Sequence, residues 1–443
     1  MKRKLLLLSL ALAGAPAFAA DLLQVYHDAL AYDAQFAAAR AALDAGRERL
    51  PQGRAGLLPT VSAAASTTWN ELDYARRQAD AGVVAANYNT NGWTVTLSQP
   101  LFRWQNIVAY DQTKLQVAAA EAQFAQARQD VVLRAAQAYF DVLLAQDSLQ
   151  LAQAQKTAIA EQLEAARRNF EVGTATIVDT HEAQSRYDLT VAQELAAQND
   201  LEIKRQLLRQ VIGKVPERLS PVRAEVQLRR PQPDDMAQWV DAAEQGSPLV
   251  AAQQAALEIA DKEISRQRAG HYPTLDLVAT RGRSSATGTL VLGTVAPGSD
   301  THTTTVGLQL SVPLFAGGAV MSKEREAVAL REKSQADLDN VRRSVAQGAR
   351  QAFLGVTSGM AQVKAYEQAL VSSQSALDSN KLGYEVGVRI NIDVLNAQQQ
   401  VFSTRRDLAR ARYDTLLAQL KLKSAAGNLG EDDVQAVIAL LEK

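Results

Sequence analysis

Phe170-Glu-Val-Gly-Thr-Ala-Thr-Ile-Val-Asp179 returns, altered, as Tyr384-Glu-Val-Gly-Val-Arg-Ile-Asn-Ile-Asp393, each copy where a long helical pattern breaks and restarts. The offset of 214, from Gly173 to Gly387 and from Asp179 to Asp393, holds far from these breaks. Arg54-Ala-Gly-Leu-Leu-Pro-Thr60 matches Arg268-Ala-Gly-His-Tyr-Pro-Thr274, and Gly213 matches Gly427, both at 214. Pro100-Leu-Phe102 matches Pro313-Leu-Phe315 at 213. So constant an offset over so long a span means that one large unit has been duplicated, not that a short solenoid repeat is stacked.

Both units have the same order. A first helix over about 22–53 or 236–267 leads to a Pro-containing turn, a strand, a polar loop and a second strand ending at Pro-Leu-Phe. A long helical pattern then runs to the break, and a shorter one follows to Gly213 or Gly427. The boundaries are repeat 1 at 20–212, a Pro-rich linker or small irregular belt at 213–235, repeat 2 at 236–427 and a tail at 428–443. Trp93, Val95 and Leu97 alternate with Thr94, Thr96 and Ser98; Val306, Leu308, Leu310 and Val312 alternate with Thr305, Gly307, Gln309 and Ser311. Period-two alternation gives each strand one apolar and one polar face. Runs of about ten residues suit tilted membrane-spanning strands, though the strands alone also fit ordinary hairpins in a soluble sheet. Asn70–Asn91 and Arg281–Thr301 read as long polar loops.

The helices decide between these readings. One 3–4 seam runs Val131, Ala135, Ala138, Val142, Ala145, Leu149, Ala152, Lys156, Ile159, Leu163, Ala166, Phe170; its counterpart runs from Val345 through Val356, Gly359 and Val363 to Tyr384. This is a sustained heptad pattern with small residues that let helices approach closely. From Arg103 to Phe170 it makes a rod of roughly 100 Å. The helix from Asp179 to 212 and the first helix of repeat 2 match one such rod when laid end to end, as do 393–426 and 22–53. Two strands per repeat cannot close a barrel, and open edges are not tolerated in a bilayer, so several chains must pool their strands.

Met1-Lys-Arg-Lys4, the apolar run Leu5–Leu12 and Ala17-Phe-Ala19 read as a secretory signal peptide over 1–19, with cleavage after Ala20 equally compatible. The absence of cysteine excludes disulfides and a lipid-attachment Cys. A net charge of -1 gives no bias toward nucleic acid. His181-Glu182 lacks the second His of a zinc-protease helix, the four histidines are scattered, and there is no Gly-rich phosphate loop. Nothing here indicates an enzyme, a metal site or a cofactor.

At this point the sequence resembles the TolC-type outer-membrane efflux proteins over essentially the whole mature chain. The carriers are the duplication, Leu57-Leu-Pro-Thr60, Ser98-Gln-Pro-Leu-Phe102, Ser311-Val-Pro-Leu-Phe315, Tyr384-Glu-Val-Gly387, Ile392-Asp-Val-Leu395 and Lys423-Ser-Ala-Ala-Gly-Asn-Leu429. The resemblance implies a mixed fold: a homotrimer with one outer-membrane β-barrel, four strands per protomer, continuing into a long periplasmic α-helical coiled-coil barrel. It implies a passive exit duct for efflux, type I secretion or both. Its partners would be outer-membrane lipid, a periplasmic adaptor and an energised inner-membrane transporter of the RND, ABC or MFS type. It places a gate at the second break, with Asp393 in an acidic ring and Asn396 where the family has a second carboxylate. Asp179, Tyr384 and Arg389 match latch positions; Val172, Gly173, Thr174, Val386, Gly387 and Val388 match adaptor-docking tips. Plainer roles stay open: helix-start carboxylates for Asp393 and Asp179, apolar packing for Tyr384, turn glycines at the tips. The rival architecture is a periplasmic coiled-coil scaffold without a pore.

Overall fold

The computed structural model describes residues 20–75, 83–223, 228–291 and 294–442. The signal-peptide reading of 1–19 lies outside the described residues. Repeat 1 contains α1 (Leu22–Tyr32), α2 (Ala34–Arg47), α3 (Arg49–Ala55), β1 (Thr60–Ala75), β2 (Val83–Phe102), α4 (Trp104–Glu171) and α5 (Ile177–Ile212). Repeat 2 contains α6 (Met236–Gly246), α7 (Pro248–Arg268), β3 (Thr274–Val291), β4 (Thr294–Ser311), α8 (Ala319–Glu385) and α9 (Asn391–Ala425), and α10 (Glu431–Ile438) follows. No helix of the described residues is long and apolar enough to cross a membrane.

The chain forms two compact units that cut across the repeats. One comprises the chain up to Arg40, Phe124–Val250 and Arg342 onward; the other comprises Ala41–Gln123 and Ala251–Val341. The second unit holds an antiparallel sheet in the order β1-β2-β3-β4. The strands have 16, 20, 18 and 18 residues, so most of what reads as polar loop is strand. The polar stretch extends because the residues of neighbouring strands stay in register along it: Thr67 pairs with Asn91 and Asn70 with Tyr88, and Asn89 Nδ2 donates to Thr67 Oγ1 at 3.0 Å. Side-chain hydrogen bonds across the ladder replace apolar contacts there. Arg103 ties the sheet to the helices, with Nε 2.8 Å from Asp276 Oδ1 and Nη2 2.6 Å from Oδ2. That forked pairing gives geometric precision as well as charge.

The other unit carries the main core. Val131, Ala135, Tyr139, Val142 and Leu143 of α4 pack with Leu416 and Leu420 of α9, Leu208 of α5, and Leu22 and Val25 of α1. The seam positions Ala349, Val356 and Val363 of α8 are likewise buried. At Gly359 an added Cβ would lie 2.5 Å from Thr415 Oγ1, so α8 and α9 approach too closely for a side chain. Lys156 is answered by an ion pair with Glu194 on α5. Isolated bridges join the 213–223 segment to residues near both ends of the described chain. Ala20 bridges Leu219, Val222 bridges Leu441, and the Tyr139 hydroxyl donates to the Ser220 carbonyl at 2.6 Å.

The first helix of each repeat is broken rather than continuous. Asp33 has φ −59° and ψ 117°, ends α1 and accepts from the Phe36 amide at 2.7 Å, capping α2; Arg134 holds the same carboxylate through two nitrogens. Ser247, at φ −68° and ψ 125°, ends α6, and Pro248 opens α7, the position where a missing N–H costs least. The end-to-end partners also differ from expectation. The C-terminal end of α5 meets the α1–α2 joint of its own repeat: an added Cβ on Gly213 would lie 2.7 Å from the Tyr32 ring. The end of α9 likewise meets the α6–α7 joint, at Gly246. The left-handed turns at Gly213 and Gly427 direct each chain end into the gap that its own repeat's joint provides.

One buried acid in this unit has a testable consequence. The Tyr413 hydroxyl donates to Asp147 Oδ2 at 2.7 Å. Burial pushes the Asp147 carboxyl above the ordinary carboxylate range, and the Tyr413 hydrogen bond offsets this only in part. A carboxyl with a folded pKa above its unfolded one binds its proton more tightly in the native state. Its contribution to stability therefore falls as pH rises from the ordinary Asp value through the raised folded value. Asp147→Asn keeps an acceptor for Tyr413 without the buried charge. Its melting temperature should equal or exceed wild type at pH 7, and that difference should shrink to nothing at about pH 4. A variant less stable at pH 7 than at pH 4, relative to wild type, would refute the assignment.

Candidate functional site

The two helix breaks lie in the same unit as this core. Each is a left-handed C-terminal turn. The Gly173 amide donates to Phe170 O at 3.0 Å and the Thr174 amide to Asn169 O at 2.8 Å; the Gly387 amide donates to Tyr384 O at 3.1 Å and the Val388 amide to Gly383 O at 2.9 Å. Gly173 has φ 80° and Gly387 φ 82°. A Cβ at either would meet nothing within 4 Å. Glycine is needed there for the backbone conformation and not for space. Val172, Val386 and Val388 are all exposed, leaving apolar tips uncovered.

The helices restart differently. Thr176 caps α5 in a reciprocal box: Asp179 N donates to Thr176 Oγ1 at 3.3 Å and the Thr176 amide to Asp179 Oδ2 at 3.0 Å. The Asp179 side chain is thus held at its own helix start. In repeat 2 the capping position is Ile390, which has no hydroxyl, and no side-chain cap forms. Asp393, the counterpart of Asp179, is left out of any cap. Its Oδ2 lies 3.6 Å from Arg389 Nη1, one turn back. This replacement of Thr by Ile frees one of the two equivalent carboxylates.

Three polar ties join the inner ends of α8 and α9 to α4 and α5. Asn391, fully buried, accepts from Gln162 Nε2 at 2.6 Å and donates to the Asp179 carbonyl at 3.4 Å. Arg186 on α5 donates to Asn396 Oδ1 at 2.8 Å and to Gln399 Oε1 at 2.7 Å. The Tyr384 hydroxyl accepts from Asn169 Nδ2 at 3.4 Å. Around them Ile159, Leu163, Ala166 and Ala183 enclose Leu395, while Tyr384 packs beside Leu377, Val394 and Val401. Gly383 lets the stem of Arg389 fold against the turn, since an added Cβ would lie 2.7 Å from Arg389 Cγ. Sequence reasoning named Tyr384, Arg389, Asp393, Asn396 and Asp179 here. It missed Asn391, Gln162 and Arg186. The available signal for Asn391 was an amide between Ile390 and Ile392 at the start of the helix.

The pattern of the outer membrane efflux protein family matches residues 25–214 and 239–428, one match on each repeat. The chain belongs to the outer membrane efflux protein family. It is similar to the alkaline protease secretion protein AprF of Pseudomonas aeruginosa, 34% identical over 96% of this chain and 88% of that protein. It is similar also to the outer membrane protein TolC of Vibrio cholerae, 31% identical over 96% of this chain and 94% of that one. Among solved structures, the outer membrane protein VceC from Vibrio cholerae superposes with a TM-score of 0.75 over 92% of this chain and 96% of that one, at 19% identity. Family membership assigns the chain to the Gram-negative outer membrane, and the family is one of transport proteins, not enzymes.

Proposed function

We propose that this outer membrane efflux protein is one protomer of a homotrimeric exit duct, serving efflux, type I secretion or both. A periplasmic adaptor and an inner-membrane RND, ABC or MFS transporter open it. The supporting observation is the sheet. Its order leaves β1 and β4 as unpaired edges, and a bilayer does not tolerate such edges. Pairing β4 of one protomer with β1 of the next closes a ring head to tail, and three protomers supply twelve strands. A scaffold without a pore has no use for a sheet with one apolar and one polar face.

In this reading the turn between α8 and α9 is the gating tip. Asp393, freed from any cap, supplies one carboxylate per protomer near the axis, where like charges repel anions. Asn396 does not add a second ring; it is the acceptor for Arg186. The latch is carried by Tyr384, Asn391, Asn396 and Gln399 on the repeat 2 side and by Asn169, Gln162, Arg186 and the Asp179 carbonyl on the other, with Arg389 beside Asp393 at the same tip. The exposed tips Val172–Thr174 and Val386–Val388 are the surface offered to the adaptor. Purified protein should run as a heat-modifiable trimer from outer-membrane fractions and should conduct ions in planar bilayers. A monomer that never conducts would sink the duct reading in favour of the scaffold.

A further inference from the structure

The outward sheet face changes character part-way up its strands. On it Val61, Leu97, Ala279 and Val306 lie side by side. One step further from the helices, Val95 stands beside Arg281, and Arg281 opposite Thr304. At the next step Trp93, Arg283 and His302 form one row across three strands. Trp69, 79% exposed, follows on the same face of β1. Arg283 Nη2 is 3.1 Å from Asp300 Oδ2. Arg281 is exposed and has no ion-pair partner among the described residues.

An arginine on a lipid-facing strand is costly at the bilayer centre and nearly free at its edge. From Val312 to Thr304 the strand climbs roughly 20 Å if tilted as barrel strands are. The arginine row therefore falls near the far edge of an apolar band that is about 25 Å tall, where Trp side chains also gather. A guanidinium fork matches phosphate oxygens in two-point contact, and acyl chains would lie on the apolar face directly below. We propose that Arg281 and Arg283, flanked by Trp93 and His302, bind the phosphate groups of an acylated, phosphorylated glycolipid in the outer leaflet. The site rests on the duct reading, because that reading turns this face to lipid.

The test uses purified full-length oligomer in detergent, titrated with bisphosphorylated lipid A, with the same lipid dephosphorylated, and with inorganic phosphate, and read by native mass spectrometry. Wild type should prefer the phosphorylated lipid by about tenfold, the scale of one lost charge-assisted contact. Arg281→Gln with Arg283→Gln should abolish that preference, whereas Arg281→Lys should retain part of it. Heat-modifiability and conductance should stay at wild-type values in all variants, which separates failure of this site from failure of the duct reading. Equal binding of both lipids by wild type would overturn the proposal. So would displacement of the lipid by inorganic phosphate at matching concentrations.

Discussion

Arg186→Ala combined with Asn391→Ala should open the resting channel, raising single-channel conductance in planar bilayers well above that of either single variant. The two residues hold α9 to α5 and α4 from opposite sides. Asn391 is fully buried, so its removal leaves Gln162 Nε2 and the Asp179 carbonyl unanswered, a cost of about 1–3 kcal/mol. Arg186 is half-buried and bonds two amide oxygens at once, worth about 1 kcal/mol. Together these amount to roughly 3 kcal/mol per protomer, which shifts a closed-to-open ratio by about a hundredfold. Arg389→Ser should do much less. Its partner Asp393 is one turn away on the same chain segment at 3.6 Å, and exposed pairs of that kind contribute roughly 0.3–0.5 kcal/mol. A double variant with an intact trimer, unchanged melting temperature and wild-type conductance would show that these ties do not hold the gate.

The ease of reading the fold and the difficulty of reading this site have separate physical causes. The duplication was legible because turn glycines at 173 and 387, and at 213 and 427, mark left-handed backbone that other residues resist. The seam was legible because α4 and α8 keep one apolar face for many turns. The strands read too short because residues 83–92 of β2 satisfy their neighbours through Asn and Thr side chains, and an alternation test does not register those contacts. The breaks at Asp33 and Ser247-Pro248 carry ordinary helix-start signals, overridden in the reading by the unbroken apolar period on either side. The box between Thr176 and Asp179 was visible in the sequence. Its absence at Ile390, which frees Asp393, becomes meaningful once the two repeats are aligned. Gln162 was not legible at all, and Asn391 showed only as an amide between two isoleucines: a buried amide reveals its role only when the fold brings it a partner from another helix.

Gly427→Ala should be far more damaging than Gly213→Ala, although the two glycines are equivalent in the repeats and share φ values of 77° and 78°. Any alanine in that conformation costs about 1–2 kcal/mol. The surroundings decide the rest. At Gly213 the added methyl meets the Tyr32 ring at 2.7 Å, but Tyr32 is 60% exposed and can rotate into solvent. At Gly427 it would lie 2.1 Å from the Gly246 carbonyl oxygen and 2.6 Å from its carbon. Those are backbone atoms at the α6–α7 joint, and Gln129 pins Gly427 from the other side by donating to its carbonyl at 2.9 Å. Neither partner can yield without moving a helix, which adds roughly 1–3 kcal/mol or more. Asparagine separates the two terms, because it tolerates the left-handed conformation. Gly213→Asn should therefore melt close to wild type, while Gly427→Asn should remain severely destabilised and fail to accumulate as heat-modifiable oligomer. Equal stability of the two Asn variants would mean that the contact between α9 and the α6–α7 joint is looser than these distances require.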